Sequence, residues 1–475
     1  MTQRPLDVAE AELPNKAARR KLPLTGGAQA DRKQGEGACP NGCKGTSCPA
    51  AAALNAAWLP ADRLSLPSAV SASPLYLGFR GEPLVFTAQD AHDQRHVEFA
   101  KACGWPAAAS RWSEPEYFRD HPCTRRRRQD EDAVLAGYRE WCRCSHEVMP
   151  GHAALEELCR RDALHPHDQT GVKPQPQTQT LPHGVQLYLT AWEYDPPADG
   201  EHDCSSEAES EQPNSLADDI CGGVPFLPCL LGRAQHPAFW TVSKLMRWLY
   251  FGEQGTACET HVDPLASHAW MWLTRGGKSW RILLPPSSVE AAHPDACPDL
   301  FDCESIARMA CHLQGSRLFH TDLRPGELLF VPSRCMHAVR NAAPGLTIAV
   351  SHNFIDATCL PATLRGLGRA LEAMLAREAA GAPRDAVLEE LSGILEGPAS
   401  VLLAASLRAP EALAEIVDSA AAELRLLLAG DMTAPGSRDG PGTCLESMLS
   451  EWRVCQSHLS KALHASAQQS SGEES

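Results

Sequence analysis

The chain has 475 residues, 43% of them hydrophobic and 21% charged, which is enough for two to three domains with a sizeable core. No run of about 18 apolar residues occurs, which excludes a membrane-spanning helix and gives no reason to expect a membrane partner. A formal net charge of -16 argues against nucleic acid as the main partner, because phosphate neutralisation needs a basic surface. A basic protein or peptide suits this charge better.

Residues 1–50 are rich in Ala, Gly and charge and show no periodicity, so they are expected to form a disordered leader. The opening MTQRPLDVAE lacks the apolar core of a secretory signal, so the expected location is intracellular, nucleus or cytoplasm. In a reducing compartment the 19 irregularly spaced cysteines read as free thiols rather than as a disulfide framework. Cys39, Cys43 and Cys48, and the group Cys142, Cys144 and His146, lack the paired C-x-x-C repeat of a zinc site. They read first as loop or core thiols and second as zinc ligands.

The segment 51–358 is expected to be one β-rich domain. PLVFTA (83–88), VQLYLTAW (185–192), MRWLYFG (246–252), ELLFVP (327–332) and TIAVSHNF (347–354) are short, branched or aromatic, and bounded by turn residues, as strands are. MWLTRGGKSWRILLPP (271–286) reads as strand, Gly-Gly turn, strand. Many short strands with turn signals predict a sandwich or barrel. Two polar stretches, 165–184 and 195–219, read as long surface insertions. From 359 to 465 the pattern changes to Leu and Met at three- and four-residue spacing. This predicts a helical module, represented by LPATLRGLGRALEAMLAREAA, DAVLEELSGILE, PEALAEIVDSAAAELRLLLAG and CLESMLSEWRVCQSHLSKALH. Its apolar stripes suit core packing or a homodimer interface, and residues 466–475 form a tail.

The chemistry concentrates in YFGEQGTACETHVDPLASHAWMWLTRGGKSWRILLPP. His261 and Asp263 are two apart, and in a strand such residues share a face, so both reach one ion. Imidazole and carboxylate suit Fe(II), and a third ligand completes a facial triad with open positions. His337, just past the strand ELLFVP, is the candidate third ligand. Spacing alone does not separate this reading from satisfied structural histidines.

The joint pattern goes further. RW precedes Gly252, HVDPL is followed by Ser and AW, Lys278 sits in a G-x-K-x-W context, PGELLFVP precedes His337, and TIAVSHNF closes the region. From about Arg247 to Phe354 the chain thereby resembles the JmjC family of iron and 2-oxoglutarate oxygenases, most nearly its phosphatidylserine-receptor-like group of protein lysyl hydroxylases. WSEPEYF and QLYLTAWEY resemble the opening strands of that family more loosely. The resemblance implies a mainly β fold, a double-stranded β-helix of cupin or jelly-roll type, followed here by the α-helical module.

It also implies Fe(II) held by His261, Asp263 and His337, with 2-oxoglutarate and O2 as cosubstrates. Lys278 matches the lysine that pairs with the distal carboxylate of 2-oxoglutarate, a charge-assisted anchor. Ser351 matches a threonine at the same carboxylate, and Tyr188 is placed as the cosubstrate tyrosine, with a core tyrosine as the other reading. The chain departs from the family at Cys258, where Thr or Ser is usual, and at Met271, where close relatives have Asn. A thiol is a weak donor and a thioether is none, so altered cosubstrate contacts are expected, with Cys258 still lining that site. His268, His293, His312, His320 and His352 read as structural bystanders. The implied reaction is hydroxylation of a protein side chain, lysine first. Methyl-lysine demethylation and a non-catalytic cupin-like scaffold are the alternatives.

Overall fold

Alternating burial along the strands sorts the described chain into two facing sheets. The computed structural model describes residues 58–65, 81–88, 94–121, 151–164, 186–193, 216–220, 229–234, 236–285, 298–309, 315–381 and 398–429, with a few single residues between them. The leader, both cysteine groups, most of the two polar insertions, His293, His312, DAVLEELSGILE, CLESMLSEWRVCQSHLSKALH and the tail lie outside the described residues.

The strands are β1 (Trp58–Pro60), β2 (Asp62–Ser65), β3 (Leu84–Thr87), β4 (Tyr188–Glu193), β5 (Arg247–Glu253), β6 (Ala257–Val262), β7 (His268–Arg275), β8 (Lys278–Leu284), β9 (Arg317–Leu323), β10 (Glu327–Val331), β11 (Met336–Asn341) and β12 (Leu346–Phe354). One sheet runs β1-β9-β8-β11-β6 and the other β2-β3-β10-β7-β12-β5-β4. The eight strands β5 to β12 divide four and four between the sheets and pair antiparallel within each. That is a jelly-roll, a double-stranded β-helix.

Strand β12 is buried along all nine of its residues. A continuous buried run of this kind requires cover on both faces. Ala349 faces the space between the sheets with Ala269, Met271, Leu273, Trp280, Ile282 and Val339. Ile348, Val350 and Phe354 face outward into a second, larger core. Helices α1 (Arg95–Ala102), α2 (Ala108–Arg111) and α3 (Pro115–Asp120) close that outer core. Trp105 lies 5.0 Å from Trp272 and Phe118 lies 5.1 Å from Phe251, ring centre to ring centre. Contacts of this type contribute about 0.5–1.5 kcal/mol each beyond burial.

The remaining helices are α4 (Gly151–Leu164), α5 (Leu230–Arg233), α6 (Pro237–Lys244), α7 (Cys303–Met309), α8 (Leu360–Ala379), α9 (Pro398–Arg408) and α10 (Pro410–Ala429). Leu364, Leu403, Leu413, Ile416 and Leu424 enter the same outer core as Trp270 and Val350, so these C-terminal helices spend apolar side chains against the jelly-roll. Among the described residues no helix is long and apolar enough to cross a membrane.

Three readings change. MWLTRGGKSWRILLPP is no hairpin: β7 and β8 lie in different sheets, and the glycines carry the chain across. Gly276 has φ +79°, and a Cβ there would stand 2.7 Å from the Thr347 backbone, so only glycine makes this corner. WSEPEYF is not a strand, because Pro115 starts α3, where its fixed φ and missing N–H suit a first helical turn. The N-terminal part of the β-rich segment is largely helical, its short helices carrying too few turns to show a period. The acidic stretch ends in a 3-10 turn, Leu216–Ile220, whose buried Asp219 accepts the Trp112 indole N–H at 2.7 Å.

Candidate metal centre

Register brings the two histidines together. β11 pairs with β6 so that His337 stands directly opposite His261, with ring centres 4.2 Å apart. Asp263 follows the end of β6 in extended backbone (φ -62°, ψ 148°), which keeps it on the face of His261. Its Oδ1 lies 3.8 Å from His337 Nε2, and the donor atoms of the three residues all lie within 4.8 Å of one another. Both imidazoles are oriented for coordination. His261 Nδ1 donates to the Glu259 carbonyl at 2.7 Å and His337 Nδ1 to the Cys335 carbonyl at 3.2 Å, leaving Nε2 of each ring for a metal, which at His261 would displace a proton. The donor set, two nitrogens and one carboxylate on one side, fits a divalent metal such as Fe(II) and leaves the opposite side open.

A bulge explains Cys258. Between the pairs His337 with His261 and Val339 with Cys258, β6 spends one residue more than β11. The extra residue turns Cys258 to the inner face, where its Sγ lies 3.7 Å from His261 Nδ1. Burial opposes a thiolate here, yet His261 and Lys278 pull the thiol below its ordinary range. Burial likewise opposes charge on His261, but Cys258, Asp263 and the Glu259 carbonyl hold it up at about 10. Burial and the neighbouring His261 push His337 down to about 4.

Lys278 is the second landmark. It opens β8 just after the glycine corner and is only 1% exposed. Its Nζ donates to the Tyr188 hydroxyl at 3.4 Å and lies 5.4 Å from the ring centres of both Tyr188 and Tyr250. Among the described residues it has no carboxylate partner, and burial lowers it to about 7. A buried ammonium without an anion is costly unless a ligand supplies one.

The structure thus brings Tyr188 to Lys278. Ser351 faces inward from β12 opposite Met271, with its hydroxyl donating to the Trp270 carbonyl at 3.0 Å. Met271 is 6% exposed and adds apolar volume to the inner core where an amide would add donors. His352 points away from this interior, edge-on to Trp270, as its phase required.

Three lining residues escaped the sequence reading. Tyr250 on β5 faces Lys278, Asn341 on β11 stands opposite Lys278 in register, and Trp280 lies 5.6 Å from the His337 ring. The alternation of MRWLYFG carried a signal for Tyr250. Gly252 carried another: a Cβ there would stand 2.1 Å from Asn341 Nδ2 and 2.7 Å from Tyr188 Cδ2, so this glycine makes room for both.

Fold and site together define a double-stranded β-helix with a facial His-Asp-His trio, one member of the cupin class. Comparison narrows the class: residues 248–354 match the model described as JmjC domain, hydroxylase. The chain is 32% identical over 145 residues to the bifunctional arginine demethylase and lysyl-hydroxylase psr-1 of Caenorhabditis briggsae, covering 25% of this chain and 33% of that protein. It is 32% identical over 170 residues to the mouse 2-oxoglutarate and iron-dependent oxygenase JMJD4, covering 34% and 38%. It is 30% identical over 120 residues to the lysine-specific demethylase JMJ21 of Arabidopsis thaliana, covering 23% and 12%. The chain therefore spans well under half the length of the curated relatives it matches.

Proposed function

We propose that this chain is an Fe(II)- and 2-oxoglutarate-dependent oxygenase that hydroxylates a protein side chain, lysine first. The observation that carries the reading is the pairing of an open His261-Asp263-His337 trio with Lys278, a buried amine that has the Cys258 thiol near it but no carboxylate partner among the described residues. When bound, iron and 2-oxoglutarate would supply oxidation of a C–H bond by dioxygen, coupled to decarboxylation to succinate. The chain's own part is placement. His261, Asp263 and His337 would hold one face of the metal. Lys278, with the Tyr188 hydroxyl beside it, would anchor the far carboxylate of the cosubstrate. Ala349, Leu273, Ile282 and Val339 keep the interior apolar and exclude water, which strengthens that ion pair.

Lysine in a basic peptide is supported by the net charge of -16 and by a relative named for lysyl hydroxylation. Demethylation of a methylated side chain is the second reading, supported by the demethylase names among the relatives. The test loads the chain with Fe(II) under anaerobic conditions, admits oxygen, and measures succinate from 2-oxoglutarate with and without basic peptides. Turnover lost in His261→Ala and Lys278→Ala is expected. A peptide that gains one oxygen supports hydroxylation, and one that loses a methyl supports demethylation. No turnover together with no metal-dependent binding of 2-oxoglutarate would overturn the oxygenase and favour a cupin-like scaffold.

A further inference from the structure

The turn that follows Asp263 is the least relaxed backbone near the metal centre. Leu265 (φ 60°) and Ala266 (φ 49°) both occupy the left-handed region without being glycine. Any Cβ crowds the following carbonyl oxygen there, so the turn persists only where its surroundings hold it.

Three consecutive carbonyls of the turn are held by three hydroxyls. Ser267 Oγ donates to the Pro264 carbonyl at 2.8 Å, Thr363 Oγ1 to the Leu265 carbonyl at 2.7 Å, and Ser333 Oγ to the Ala266 carbonyl at 2.5 Å. Each hydroxyl is anchored in a different element. Ser267 receives the Asn353 side-chain amide of β12 at 3.1 Å. Ser333 lies between β10 and β11, four residues before His337. Thr363 is 2% exposed in the first turn of α8, the helix that opens the C-terminal module.

A second route joins α8 to the same turn. His268, Asp356 and Cys359 bring donor atoms within 4.8 Å of one another and are all buried. Both His268 nitrogens and Asp356 Oδ1 are engaged by protein groups, so this trio serves as a brace rather than as a second metal site. His268 Nδ1 accepts the Ser333 N–H at 2.8 Å, and its Nε2 donates toward Asp356 Oδ1 at 3.2 Å and Thr358 Oγ1 at 2.9 Å. Asp356 Oδ1 also accepts the N–H groups of Thr358 at 2.8 Å and Cys359 at 3.2 Å, which fastens the start of α8.

We propose that Thr363 is a positioning residue for the metal ligand Asp263, so that the first C-terminal helix is part of the metal centre's support. The proposal rests on the metal reading above. Thr363 touches neither metal nor substrate; it fixes the turn two residues beyond Asp263, and that turn aims the carboxylate. Supports of this kind alter metal affinity about 10- to 100-fold when removed.

The test uses Co(II) as probe on the full chain, reading its visible ligand-field bands and its affinity. Thr363→Val keeps the volume and removes the hydroxyl. It is expected to bind Co(II) about tenfold more weakly, with shifted bands. Thr363→Ser restores the hydroxyl and is expected to restore both. A residue that merely stabilised the helix would lower the melting temperature and leave the bands in place. Wild-type bands and affinity in Thr363→Val would therefore overturn the proposal, whatever happens to stability. If that variant folds poorly, Thr363→Ala and the rise of its melting temperature with Co(II) give the same reading, since that rise reports affinity. Failure of the wild-type chain to bind Co(II) would overturn the metal reading and this proposal together. Wild-type binding with an unaltered variant overturns this proposal alone.

Discussion

Two trios of His, Asp and a third donor sit in one jelly-roll, each with donor atoms within 4.8 Å, and they differ in what their lone pairs face. At His261 and His337 the backbone takes Nδ1, and His337 Nε2 faces Asp263 Oδ1 across a gap of 3.8 Å. At His268 both nitrogens are taken, one by the Ser333 N–H and the other by Asp356 and Thr358. Proximity of ligating residue types therefore does not define a metal site. Unspent acceptors aimed at a common point do. The surroundings agree with this division, because the first trio faces the inner space with Lys278 while the second ties a helix to the outer wall.

The comparison breaks most sharply at His261. His261→Ala is expected to weaken metal binding by about a thousandfold, about 4 kcal/mol, with little change in the melting temperature of the metal-free chain. Equilibrium dialysis of Co(II) would show it. The same measurement on the wild-type chain should give one equivalent that His261→Ala removes; a further equivalent lost in His268→Ala would mean that the brace is a site after all. His268→Ala should do the reverse. It leaves Asp356 and the Ser333 N–H short of a buried partner, which costs about 2–4 kcal/mol of stability. Denaturant unfolding would read that loss, and metal stoichiometry should remain at one.

The sequence showed the first trio and hid the second, for physical reasons. The spacing of His261 and Asp263 is a strand period, and the strand before His337 is an unbroken apolar run, so the primary pattern bore on the ligands directly. The brace joins β7, the 332–334 turn and the start of α8, positions about 90 residues apart that no periodicity connects. The jelly-roll was legible from its strands, yet the Gly276 corner read as a hairpin because a turn between sheets uses the same residues as a turn within one. The inner face at Cys258 depends on a one-residue bulge in β6, and a bulge leaves no mark in a two-residue period.

Lys278 sharpens the contrast, because its burial is expected to cost stability at neutral pH. Its folded value of about 7 lies below the ordinary 10.5, with burial as the first cause. Below about pH 7 both states bind the proton and the cost is present in full. Between 7 and 10.5 the unfolded chain binds a proton that the folded chain does not, so stability rises with pH across that window. Lys278→Met should remove this slope and raise the melting temperature near neutral pH, on the order of 1–3 kcal/mol of stability, while lowering 2-oxoglutarate affinity. Functional residues that cost stability behave in this way. An unchanged or lower melting temperature in Lys278→Met would mean that the lysine has a partner that outweighs its burial.

The smallest effect is the pH dependence of cosubstrate binding, and its sign follows from the same group. An anionic ligand needs the ammonium form of Lys278, which the metal-free chain holds below about pH 7. Affinity for 2-oxoglutarate should therefore be flat below that value and fall by up to about tenfold per unit above it. Saturating Co(II) keeps proton competition at His261 out of the measurement. Lys278→Arg keeps its charge throughout and should flatten the profile wherever it still binds. A wild-type profile that stays flat from about pH 6 to about pH 9 would place the carboxylate away from Lys278. The buried ammonium would then need an anion other than the cosubstrate, and the pairing of trio and lysine that supports the oxygenase would come apart.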